Sequence, residues 1–178
     1  QKRNAKRLLQ RLVDDLPERK VFIDAGAGNG EVTRAFAGAF DRTIAIEPNM
    51  HLLTQLQRAV PQADAIGTSI LATSPKALGD FVLCSHTLYY IPAEEWLAHL
   101  ERLVSWMSPT GVTVVVLQNR GTACMTMLEH FFGHRFDLYG LADNFRAKHG
   151  DRYNVTTTLD SAHVETSEPD AAYTVAEF

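Results

Sequence analysis

Two short stretches carry residues whose types and spacing suit chemistry. The first is Asp24-Ala25-Gly26-Ala27-Gly28-Asn29-Gly30, with Glu47 following at the end of Ile44-Ala45-Ile46. Alternate glycines remove side chains where a backbone must turn and let a ligand come close. A carboxylate roughly 20 residues beyond such a loop is where a βαβ nucleoside site meets ribose hydroxyls. The second stretch is Ser85-His86-Thr87-Leu88-Tyr89-Tyr90-Ile91. There His86 could accept a proton or hold a substrate's polar atom. Tyr89 and Tyr90 offer π faces that attract a sulfonium or an ammonium. One of two adjacent tyrosines is expected to pack in the core, so only one should face a site.

The elements that must position these residues follow from apolar spacing. Val21 to Ile23, Ile44 to Ile46, Asp80 to Cys84 and Val112 to Leu117 are short apolar runs of the kind a parallel sheet buries on both faces. Ala63 to Gly67 is a weaker third strand, and Tyr153 to Leu159, rich in Thr and Val, reads as a sixth. Between them, apolar residues recur at helical spacing: Val32 to Phe40, Leu52 to Val60, Trp96 to Met107, Met125 to Phe132 and Leu138 to Phe145. Pro109 and Gly111 are expected to break the third of these helices. Leu8, Leu9, Leu12, Val13 and Leu16 make one face of a leading amphipathic helix, best explained by packing on the sheet. At the other end, Ser167-Glu168-Pro169-Asp170 has the spacing of a helix start, so Ala171 to Phe178 reads as a helix, with a seventh strand as the rival. This alternation is that of an α/β, Rossmann-like, doubly wound and mostly parallel sheet, with ligands at the C-terminal strand edge.

The glycine loop fits two cofactor classes. Dinucleotide folds use Gly-x-Gly-x-x-Gly, where a helix N-terminus receives a pyrophosphate. Here the spacing is Gly-x-Gly-x-Gly, led by Asp24. That pattern resembles motif I of the class I S-adenosylmethionine-dependent methyltransferases, and Glu47 resembles their ribose-binding acid. The resemblance implies S-adenosyl-L-methionine as cofactor and S-adenosyl-L-homocysteine as product. It implies that Asp24, Gly26, Ala27, Gly28 and Gly30 hold the methionine moiety, with Glu47 and Pro48 at the ribose. Ser69 and Ile70 would flank the adenine, Met50 its other face, and Ser85 the cofactor edge. His86, Tyr89 and Tyr90 would meet the substrate. The final antiparallel strand of that fold would be missing if the last segment is helical. Leu88-Tyr89-Tyr90, the strand Val112 to Leu117 and Gly133-His134-Arg135-Phe136 further resemble the histamine N-methyltransferase group. Where that group has substrate-contacting Gln and aromatic residues, this chain has His86, Met125 and Glu129. A different small amine, an imidazole or a natural-product intermediate is therefore the expected substrate, with nitrogen slightly ahead of oxygen as acceptor. The alternative is a cofactor-binding module without transferase activity.

Composition bounds the rest. The chain has 178 residues, 46% apolar and 21% charged, which suits one domain with a real core. Its net charge of −4 supplies no bulk attraction to nucleic acid or anionic membrane. No apolar run approaches the ~20 residues that span a bilayer, and the basic N-terminus lacks a signal peptide's apolar stretch. Cys84 and Cys124 share no metal-type spacing, so no metal is expected and a reducing cytoplasm is the default. With no initiator Met and an abrupt end at Phe178, residues 1–178 read as one domain truncated at both ends. No Asn/Asp-Pro-Pro-Tyr of amino-directed DNA methylases follows the fourth strand. The partner class is a small molecule; oligomeric state is open.

Overall fold

The computed structural model describes residues 3–133 and 135–160. Helices and strands alternate as α1 (Arg3–Asp14), β1 (Val21–Ala25), α2 (Glu31–Phe36), β2 (Arg42–Ile46), α3 (Met50–Ala59), β3 (Asp64–Ile66), β4 (Gly79–Ser85), α4 (Trp96–Val104), β5 (Met107–Val116), α5 (Ala123–Phe132) and α6 (Leu138–His149). The five strands form one sheet in the order β3-β2-β1-β4-β5, all parallel. The order reverses between β1 and β4. At such a switch point the connections leave to opposite sides and open a crevice above the strand ends.

Alternation along each strand divides the core. Ile23, Ala25, Ile44, Ile46, Val82 and Cys84 face Trp96, Leu103, Trp106 and Leu141 from α4, its exit turn and α6. Phe22, Phe81 and Leu83 face Leu9 and Val13 of α1, Leu16 just beyond it and Phe36 of α2. Ala45, the paired neighbour of Asp24, makes room for Leu53 and Leu56 of α3. Helices thus cover both faces, as the apolar runs require. The α1 face packs on the sheet, as its pattern predicts.

Three expectations are corrected. Tyr153 to Leu159 forms no strand. The Tyr153 ring packs on Phe145 and His149 of α6 instead, and among the described residues no neighbouring strand supplies a ladder. β-propensity acts only where such a partner and a face to bury exist. Met107 opens β5 rather than closing α4, and Pro109 and Gly111 lie inside that strand. Phe81 pairs with Val112 although Gly79 pairs with Met107, so an irregularity absorbs the extra residues. Among the described residues β5 is paired on one side only, and such a strand tolerates proline. The helix expected over Val32 to Phe40 ends at Phe36 and finishes as a tighter turn, Ala37–Ala39. The segment Ser167 to Phe178 lies outside the described residues.

Candidate active site

β1 delivers Asp24 and the glycine loop to the crevice. The Gly26 and Ala27 N–H groups both donate to the Ile46 carbonyl, at 2.8 and 3.0 Å, which turns the chain across the end of β2. Gly26, Gly28 and Gly30 all have positive φ. At Gly26 a Cβ would stand 2.3 Å from the Thr87 side chain, so the glycine lets the β4 exit press onto the loop. At Gly28 (φ +57) nothing lies within 4 Å of the same position, and the backbone is open to a ligand.

Asp24 is only 1% exposed. It sits beneath the loop and accepts the Thr33 hydroxyl at 2.6 Å. Burial is the main cause that pushes its carboxyl up to about 6; the Thr33 hydrogen bond opposes this and the Glu47 charge adds to it. Glu47, also buried, accepts the Gly28 N–H on one oxygen and the Asn49 N–H on the other, both at 2.8 Å. Asn49 in turn caps α3 by accepting from His51 and Leu52. Ala27 is buried in the loop, while Pro48 and Met50 are exposed beyond Glu47. Met50 lies near Gly67, since its sulfur is 3.6 Å from where a Gly67 Cβ would be. Ser69 is exposed and accepts the Ala72 N–H, whereas Ile70 is core, packed in the same cluster as Ile44 and Ile46.

β4 delivers the second stretch one strand away. Ser85 closes β4, half-buried, and Thr87 packs on Gly26 with its hydroxyl within reach of the Ala25, Gly26 and Ser85 carbonyls. Between them His86 has φ 58, the left-handed region, and is the one non-glycine residue with positive φ among those described. A side chain there costs roughly 1–2 kcal/mol. The exposed His86 ring places Nδ1 3.2 Å from the Tyr89 hydroxyl, and the two rings stack at 5.8 Å. The same hydroxyl accepts the main-chain N–H of Gln118 at the exit of β5. Phe136 meets the Tyr89 ring edge-on and stacks on Trp96, whose indole N–H reaches the Leu88 and Ile91 carbonyls. Tyr90 points outward, 88% exposed. Tyr89 is the inward member of the pair.

The tertiary structure therefore brings Asp24, Gly26, Gly28 and Glu47 together and sets Thr87, His86 and Tyr89 beside them. Ile70 is buried in the core and Tyr90 is exposed. Thr33, Thr87 and Gln118 carry contacts that no motif in the sequence marks. Their partners are 9, 61 or 62, and 29 residues away. Cys84 lies just below, fully buried, its thiol pushed up to about 12 mainly by burial, so it is not a nucleophile.

Comparison with known proteins comes to the same place. A family model described as a methyltransferase domain matches residues 1–163. No curated protein matches in sequence. Among solved structures, the N-methyltransferase NodS from Bradyrhizobium japonicum is similar with a TM-score of 0.67 and 18% identity, over 83% of this chain and 82% of that one. DhpI, solved with S-adenosylhomocysteine, is similar at 0.55 and 23%, over 63% of this chain and 55% of its own. CalS10, an amino pentose methyltransferase from Micromonospora echinaspora, is similar at 0.58 and 19%, over 63% and 48%. The chain thus spans about half the length of DhpI and CalS10. At these identities the likeness carries the fold, and the family model carries membership. The chain belongs to the methyltransferase-domain family and has the Rossmann-like fold of class I S-adenosylmethionine-dependent methyltransferases.

Proposed function

We propose that this chain is an S-adenosylmethionine-dependent methyltransferase acting on a small molecule, with nitrogen favoured over oxygen as acceptor. The observation that carries the reading is the Glu47 carboxylate at the open Gly28 backbone. Each of its oxygens accepts one N–H. A carboxylate has about four acceptor positions, so capacity remains for a vicinal ribose diol. The neighbouring Asp24 carboxyl disfavours a pyrophosphate and suits a ligand whose charge is positive. No Lys or Arg lies between Asp24 and Glu31 to offset a phosphate. The residues therefore fit a phosphate-free nucleoside bearing a sulfonium.

When bound, S-adenosylmethionine supplies an electrophilic methyl group and leaves as S-adenosylhomocysteine. Gly26, Ala27, Gly28 and Gly30 hold its amino-acid end on bare backbone, Glu47 and Pro48 the ribose, Met50 and Ser69 the adenine side. Asp24 supports the loop from beneath through Thr33. Ser85 and Thr87 join the loop to the β4 exit. His86, on the exposed lip of that exit, holds the substrate's polar atom, and Tyr89 backs it. What remains is approach, since reacting atoms about 3–3.5 Å apart and aligned supply much of such a rate enhancement. The free Cys84 thiol suits a reducing, cytoplasmic setting.

Calorimetry with S-adenosylmethionine and S-adenosylhomocysteine tests the cofactor site, and turnover across a panel of amines and phenols tests the reaction. Binding of both with methylation of amines is the expected result. Binding without turnover on any acceptor favours a cofactor-binding module, and no binding removes the reading.

A further inference from the structure

We infer that Arg102 of α4 is a positioning residue for the loop 67–74, and that the choice of nucleobase is governed from that helix. This rests on the reading that sets Ser69 and Met50 at the adenine side of the cofactor. Arg102 Nη2 donates to the Thr73 main-chain carbonyl and, at 3.0 Å, to the Ser74 hydroxyl. Those partners lie 29 and 28 residues back in the chain, in the loop between β3 and β4. Among the described residues, these are the hydrogen bonds that tie the loop to another element.

Thr73 passes this hold on to the tip of the loop. It is 3% exposed, although Ala72 and Ser74 on either side are exposed. Its hydroxyl donates to the Ser69 carbonyl at 2.7 Å and lies 2.6 Å from the Thr68 hydroxyl. A carbonyl only accepts and a hydroxyl has one proton to give, so Thr68 is the donor to Thr73. The Thr73 N–H closes the turn on the Ile70 carbonyl at 3.2 Å, and the Ala72 N–H donates to the Ser69 hydroxyl. Thr68 and Ser69, the exposed pair that follows Gly67, therefore both hang on Thr73.

Arg102 forms no ion pair with a carboxylate among the described residues, and its Nε is buried without a hydrogen-bond partner. A half-buried guanidinium ordinarily meets a carboxylate or reaches water. This one spends its donors on a loop, where the rigid fork of arginine fixes direction. The loop has one other anchor, Ile70, which packs in the core cluster with Leu103 and Trp106 beside Arg102. Burial of that side chain holds the loop down but is non-directional. The hydrogen bonds from Arg102 set which way the tip faces. A base is told from another by groups held to roughly 0.5 Å, so losing Arg102 costs selectivity before it costs adhesion.

The test is calorimetry on the full chain with S-adenosylhomocysteine and with S-inosylhomocysteine, in which a ring carbonyl replaces the adenine amino group. The unmodified chain should prefer the adenine compound. Arg102→Met should narrow that preference roughly tenfold, the scale of one lost charge-assisted hydrogen bond. Arg102→Lys, which keeps a donor, should restore part of it. A residue that only stabilised the fold would leave the ratio of the two affinities unchanged. No preference in the unmodified chain, or an equal preference in Arg102→Met, overturns the inference. If Arg102→Met does not fold, Thr73→Val, which loses the hydroxyl and keeps the carbonyl, makes the same comparison. Amide exchange at Thr73 in the ligand-free chain reads the loop without any cofactor. It should quicken in Arg102→Met, and an unchanged rate also overturns the inference. Failure of the unmodified chain to bind either compound would instead strike the functional reading, on which the nucleobase role stands.

Discussion

Glu47 and Gly28 are joined by a 2.8 Å hydrogen bond, from the glycine N–H to a carboxylate oxygen, across the gap between β2 and the glycine loop. The second Glu47 oxygen takes the Asn49 N–H at the head of α3. One buried side chain thus ties together the three pieces of backbone that frame the cofactor crevice. In the proposed reading, that acceptor is oriented in advance for a ribose.

Replacing Glu47 by Ala should therefore weaken S-adenosylhomocysteine binding by about 1.5–3 kcal/mol, the range for a lost charge-assisted hydrogen bond. Titration calorimetry reads this directly. Affinity equal to that of the unmodified chain would remove Glu47 from the ribose.

Gly26 and Gly28 should separate stability from binding. Gly28→Ala adds a methyl group into open space, so its stability cost is the positive-φ strain, about 1–2 kcal/mol. The same methyl stands where the ligand must approach, and cofactor binding should be lost. Gly26→Ala drives a methyl into Thr87 and should cost more, about 2–4 kcal/mol by the scale of core overpacking added to strain. Urea unfolding paired with calorimetry separates the two. Equal stability losses at both positions would contradict the geometry.

His86 should show the mark of its backbone. His86→Ala should lower turnover while sparing S-adenosylhomocysteine affinity. His86→Gly should do the same yet be more stable than His86→Ala by about 1 kcal/mol, because only glycine enters the left-handed region without strain. Thermal melts of the two variants check the difference. If alanine proves as stable as glycine, the left-handed conformation is not present in solution.

Asp24 should make stability depend on pH. Its carboxyl stands at about 6 in the fold against 3.8 ordinarily, chiefly through burial. Between those values the native state holds a proton that the unfolded chain has released, so stability falls as pH rises through that window. The full effect, present above pH 6, is on the order of 2–3 kcal/mol. Asp24→Asn can keep the Thr33 hydroxyl partner and carries no charge, so it should be more stable than the parent at neutral pH. The advantage should shrink below the ordinary carboxylate range. Urea unfolding of both proteins at acid and neutral pH measures this, and a constant difference would place the carboxyl in water.

What the sequence settled by itself is what is local or periodic. Glycines spaced to turn a chain, apolar runs that only a sheet covered on both faces can bury, and an acid at the end of the second run were enough for the fold and for the meeting of Asp24, Gly28 and Glu47. Tyr153 to Leu159 shows where that logic stops: a strand pattern makes a strand only when a neighbour pairs with it, and among the described residues none does. The substrate side lay beyond such reading. Tyr89 and Tyr90 are adjacent and chemically identical, yet one is clamped by Phe136 and Gln118 while the other stands 88% exposed. Nothing in the sequence around Ile70 marks it as buried, yet it packs in the cluster with Ile44 and Ile46. His86 acquired its left-handed backbone and its tyrosine partner because β5 ends beside β4, and Thr87 meets Gly26 because β4 lies beside β1. Those neighbours are set by the order of strands in the sheet, a property of the folded chain as a whole that no short stretch of residues contains.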